Sequence, residues 1–133
     1  MSFKKIICVD FDGVIHWYRK GWCDGKIYDE PVPGAIQWLV ELVASEEHEV
    51  CIYSSRSKDT DLLHAMKVWI YKQVRIYNLI AFNDATAIQV IDRLKFPTEK
   101  PPAWLTIDDR AICFTGTFPS ISDIDNFKPW QIE

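Results

Sequence analysis

The chain has 133 residues and a formal net charge of -4; 48% of its residues are hydrophobic and 26% charged. That composition fits one globular domain spanning 1–133 and excludes a disordered or collagen-like chain. No apolar run approaches the roughly 20 residues of a membrane-spanning helix, and no basic stripe marks a non-specific duplex binder.

In chain order, Lys5–Val9 is a continuous apolar run, the pattern of a strand buried on both faces. It ends on Asp10-Phe11-Asp12-Gly13. Residues 14–32 mix Trp, Tyr, Gly and charge without clean periodicity and read as a flap. Pro31-Val32-Pro33-Gly34 is a stop before a helix whose Ile36, Leu39, Val40 and Val43 share one face. Glu49–Tyr53 is a second strand, running into Ser54-Ser55-Arg56. Asp59–Arg75 is a long helix with Leu63, Met66, Ile70 and Val74 on one side. Further on we expect a short helix at Asp84–Ile88 and a strand at Ile91–Phe96. A strand at Ala103–Ile107 ends on Asp108-Asp109. Another short strand is expected at Ala111–Phe114, then a short helix capped by Ser120 or Ser122 and reaching Phe127.

Strands alternating with helices predict an α/β class with a mostly parallel sheet, and such sheets bind ligands at the carboxyl ends of their strands. Polar chemistry collects there. Asp10 and Asp12 are two apart and share a side in extended chain, and Gly13 permits a sharp turn. With Asp108 and Asp109, up to four carboxylates converge. Two unit charges 4 Å apart repel by about 4 kcal/mol at an effective dielectric near 20, so the cluster calls for a cation or a shared proton. Oxygen ligands without His or Cys suit Mg²⁺. Ser54 and Lys100 would supply a donor and a positive charge for phosphoryl oxygens. Gly13, Ser55 and Trp17 are expected to touch substrate. Arg56 is either a further contact or structural.

The order of these elements resembles the haloacid dehalogenase-like hydrolase superfamily. The matching segments are Ile7-Cys8-Val9-Asp10-Phe11-Asp12-Gly13-Val14, then Cys51-Ile52-Tyr53-Ser54-Ser55-Arg56, then Lys100, then Thr106-Ile107-Asp108-Asp109-Arg110-Ala111. The resemblance implies a Rossmann-like three-layer sandwich with a mostly parallel central sheet. It implies Asp10 as the nucleophile that forms an aspartyl-phosphate and Asp12 as general acid, then general base. It implies Ser54 and Lys100 on the phosphoryl oxygens. Asp10, the Asp12 main-chain carbonyl and the Asp108-Asp109 pair, with Asp109 favoured as the direct ligand, would hold Mg²⁺. Aspartate at position 12 resembles the phosphatase branch. Only 41 residues separate Asp12 from Ser54 and 45 separate Ser54 from Lys100, too few for a large cap. The implied activity is a Mg²⁺-dependent phosphomonoester hydrolase. Its partner is a phosphorylated substrate, a small molecule or a nucleic-acid end. The competing readings are a non-catalytic phosphate-binding domain and a receiver-like phospho-acceptor. An open site also leaves room for a homo-oligomer.

The flap carries His16, Trp17, Tyr18, Arg19, Lys20, Trp22 and Tyr28. Its aromatics and cations either stack on a base or sugar or belong to a packed hairpin; His16 is expected to be structural. The cysteines Cys8, Cys51 and Cys113 lie in strand-like runs and are expected to be buried thiols. With no C-x-x-C and no leader pattern at the N-terminus, we expect no zinc and a cytoplasmic location.

Overall fold

A computed structural model describes residues 4–80 and 84–131, with the side chains of 79–87 left aside. The leader reading at Met1–Phe3 lies outside the described residues. The architecture is α/β. Strands β1 (Lys5–Val9), β2 (His48–Ile52) and β3 (Leu105–Ile107) form a parallel sheet in the order β2-β1-β3. Helices α1 (Ala35–Ala44), α2 (Thr60–Ile80), α3 (Asp84–Arg93) and α4 (Ile121–Asp125) complete it, with a 3-10 turn at Ser55–Lys58.

The core forms where the two periodicities meet. Ile7 and Val9 of β1 and Val50 and Ile52 of β2 lie on one sheet face. They pack with Leu39, Val40 and Val43 of α1 and Met66, Ile70 and Val74 of α2. The helical stripes expected for α1 and α2 are therefore the buried ones. Asp59 does not enter α2 but caps it, accepting from the amides of Asp61 and Leu62 at 2.9 and 3.0 Å.

Two expected strands are absent. Residues 91–93 belong to α3, because Val90 and Leu94 bury at helical spacing and the Leu94 amide still bonds the Val90 carbonyl at 2.9 Å. Only Lys95 extends the sheet there, bridging β2 through the Ile52 amide and the Val50 carbonyl. Ala111–Phe114 forms no strand; Ile112, Cys113 and Phe114 are exposed. Cys113 is thus not a buried thiol, whereas Cys8 and Cys51 are, paired in register across β1 and β2. The flap is no hairpin. It is a loop closed by one antiparallel bridge between His16 and Pro31, with Arg19 clamped on Asp29 at 2.7 Å. No large cap is present among the described residues, and no helix among them is long and apolar enough to cross a membrane.

Candidate active site

Parallel register carries the site. Val9 faces Ile52 on one side and Ile107 on the other, so the residues after each strand meet. The ladder continues past the strand ends: the Asp10 amide donates to the Ile107 carbonyl at 2.9 Å and the Tyr53 amide to the Val9 carbonyl at 3.1 Å. Asp10 is thereby set beside Asp108. Carboxylate oxygens of Asp10, Asp108 and Asp109 lie within 4.8 Å of one another. They wall a cleft of about 350 Å³ with Asp12, Tyr18, Ser55 and Arg110.

The electrostatics of this cluster follow from its geometry. Burial, a hydrogen bond in which the protonated Asp10 donates to Asp109, and the charge of Asp108 push Asp10 up to about 8, against the Phe11 amide that donates to its carboxylate at 2.8 Å. The site thus holds a proton between crowded carboxyls, the condition a divalent cation relieves. Gln131 donates to Asp109 at 2.7 Å, and its own side-chain oxygen is buried without a partner. Three carboxylates within 4.8 Å of one another are a hard-oxygen donor set of the kind that suits Mg²⁺.

A pH dependence follows. The folded-state value of Asp10 lies above its ordinary 3.8, so the metal-free fold binds this proton more tightly than the unfolded chain. That contribution is complete below about 4 and is lost as pH rises to about 8. Melting curves of wild type and Asp10→Asn in chelator should diverge over this interval, the wild type falling relative to the variant. Mg²⁺ should restore the wild type at pH 8. Parallel curves would mean that the carboxyls do not repel.

Asp12 sits differently from Asp10. Arg56, fully buried, donates to its Oδ2 at 2.8 Å through Nε and to its Oδ1 at 3.2 Å through Nη2. His16, also fully buried, bonds Asp12 Oδ1 through Nδ1 at 2.8 Å, while His16 Nε2 accepts from the Asp29 amide at 3.0 Å. An amide can only donate, so the imidazole carries its proton on Nδ1 and gives it to the Asp12 bond. Burial opposes the Asp12 charge, but the His16 and Arg56 hydrogen bonds outweigh it and hold the carboxyl below its ordinary value. The Asp12 side chain is therefore committed to these partners and stands outside the Asp10-Asp108-Asp109 group. Its main-chain carbonyl is what remains for a cation.

Comparisons with protein-family models, curated proteins and solved structures return no significant match. The functional reading therefore rests on this geometry.

The remaining expected residues divide. Ser55 is exposed and lines the cleft. Ser54 is buried, with its hydroxyl accepting from the Arg56 amide at 3.0 Å and facing Met66 Sδ at 3.8 Å, so it caps the 3-10 turn. Lys100 is exposed and makes no hydrogen bond or ion pair among the described residues. It does not line the Asp10 cleft. Trp17 lies under Arg19, 4.2 Å from ring centre to guanidinium, and does not line the cleft. Gly13 adopts φ +83, and a Cβ there would strike the Asp109 carboxylate and Gln131. It admits Asp109 to the site, an approach no other residue permits.

Tyr18 enters the sequence reading only among the flap's aromatics, and Arg110, Trp130 and Gln131 are not singled out there. Tyr18 lines the cleft with φ 64, a left-handed conformation that strains a residue with a side chain. Arg110 is the cation the cleft does hold. Trp130 donates to the Gly13 carbonyl at 2.7 Å, and Gln131 holds Asp109. Only Arg110 had a signal, its place beside the acidic pair. For the flap, we expect Tyr18→Ala to raise KM several-fold more than Trp17→Ala, with little change in melting temperature. Equal effects would remove Tyr18 from the substrate's path.

Proposed function

We propose that this protein is a Mg²⁺-dependent phosphomonoester hydrolase resembling capless haloacid dehalogenase-like phosphatases, with a Rossmann-like three-layer arrangement. The observation that carries the reading is the Asp10 carboxyl at the end of β1, crowded by Asp108 and Asp109 in an open polar cleft. Asp10 attacks phosphorus, the ester oxygen leaves, and water then cleaves the aspartyl-phosphate to release phosphate and restore the carboxylate. Asp10, Asp108, Asp109 and the Asp12 carbonyl would hold Mg²⁺, which would offset the charge between nucleophile and phosphate.

Asp12 performs the proton transfers. In its ionised, Arg56-paired state it is set as the base that takes a proton from the attacking water. To act first as an acid it must acquire a proton, and the Arg56 pair opposes that. Leaving groups that depart without a proton, such as phenolates, should therefore be favoured. Arg110 and Ser55 offer donors to phosphoryl oxygens at the cleft. Lys100 would reach them after movement of residues 96–104. That neither Ser54, spent on capping the 3-10 turn, nor Lys100 lines the cleft favours a second reading, a phosphate-binding or phospho-accepting domain without turnover.

One assay separates these readings. Phosphate release from an aryl phosphate should require Mg²⁺ and stop in chelator. Full activity in chelator would remove the metal from the reaction. A protein-bound acyl phosphate that accumulates without release would favour the phospho-acceptor.

A further inference from the structure

Ile112, Phe114, Phe118, Ile121, Ile124 and Phe127 are all exposed, from 39% at Phe127 to 82% at Phe118. Ile112, Ile124 and Phe127 line one shallow pocket of about 270 Å³, and the rings of Phe114 and Phe118 touch, 4.9 Å between centres. Taking about 200 Å² for each whole side chain, the six present roughly 700 Å² of apolar surface. A monomer's largest patch is typically about 300–600 Å², while a stable contact buries about 800 Å² on each partner.

We propose that this surface is the interface with a second copy of the chain. Residues 111–122 contain no charged side chain, so this part of the face meets itself across a two-fold axis without like-charge repulsion, while Arg110 at the pocket rim and Asp123 and Asp125 beside Ile124 carry opposite charges. Asp123, Asp125 and Lys128 follow in sequence, allowing acid to meet lysine across the axis and disfavouring an anionic lipid surface. β3 ends at Ile107, shortly before this uncharged segment begins at Ala111, and it is a sheet edge with no partner on its outer side among the described residues.

The interface also bears on the cleft. Arg110 borders both the apolar pocket and the Asp10 cleft, so a copy seated on one walls the other. That consequence rests on the phosphatase reading; the self-association does not.

Light scattering on a sizing column, over a dilution series up to about 1 mM, tests the interface. Wild type should run at twice the 15.5 kDa chain mass, dissociating on dilution. Phe118→Asp and Ile121→Asp should run as monomers with unchanged circular dichroism. Amide exchange over 111–127 should slow as wild-type concentration rises, a measurement that needs no variant. A wild type that is monomeric throughout, a dimer that survives both substitutions, or exchange independent of concentration would each overturn the proposal. In the aryl phosphate assay the monomeric variants should show a raised KM. A chain without phosphatase activity would sink the functional reading and leave the mass measurement to decide the interface.

Discussion

Asp10→Asn is expected to reduce phosphate release by about 10⁴-fold or more while leaving the fold intact. The amide keeps the shape of the carboxylate and can still accept the Phe11 amide that now bonds Asp10 at 2.8 Å. What it loses is the nucleophile, since an amide oxygen does not form the acyl phosphate that water resolves. The substitution also removes one of three crowded acids, so the metal-free variant should melt no lower than wild type near pH 8. Lost activity with retained or raised melting temperature is thus the signature. Beryllium fluoride, a phosphoryl mimic, should attach to wild type and not to the variant. Release at more than a few percent of wild type would move the nucleophile elsewhere.

Arg56→Ala should have the largest effect on stability. The guanidinium is fully buried, bonds both oxygens of Asp12, donates to the Gly25 carbonyl, and lies 5.1 Å from the Trp22 ring centre. It joins the 3-10 turn after β2, the acid after β1 and the flap. Truncation leaves the Asp12 charge buried with only His16 and leaves the Gly25 carbonyl without this donor. Breaking a buried pair from one side costs about 3–5 kcal/mol, which for a chain of this length lowers the melting temperature on the order of 10 °C. The double variant Arg56→Ala/Asp12→Ala should cost less than the sum of its parts, since it removes the stranded charge.

The acid limb provides an independent check on Arg56. The depressed Asp12 contributes stability that is present above its ordinary 3.8 and lost as pH falls through the folded value. Without Arg56 that acid-side loss should shrink. A melting temperature within about 2 °C of wild type would show that Arg56 does not hold the site together.

Much of the framework was legible from local pattern. The strands expected at Lys5–Val9 and Glu49–Tyr53 end abruptly in polar residues, and the stripes of α1 and α2 repeat at helical spacing. A parallel sheet then obliges the residues after its strands to meet, so Asp10, Ser55, Asp108 and Asp109 could be brought together on paper. Ile91–Phe96 misled because Val90, Ile91 and Leu94 fit a helix face as well as a strand, and packing beneath α2 selects the helix. Ala111–Phe114 misled because strand-like residues pair only where a neighbouring strand offers its edge.

By itself, then, the sequence determined which residues end the strands and which helix faces turn inward, because those follow from backbone periodicity. The tertiary structure decided where each polar side chain spends its hydrogen bonds. Ser54 and Ser55 are adjacent and alike, yet one caps a turn and the other faces the cleft. Asp10 and Asp12 are two apart, yet one is driven toward its neutral form by burial and neighbouring acids and the other is held ionised by His16 and by Arg56, 44 residues on. Gln131 reaches Asp109 from the far end of the described chain. Such choices depend on which distant group arrives within about 3 Å, and hydrogen-bond strength falls too steeply with distance for chain spacing alone to reveal it.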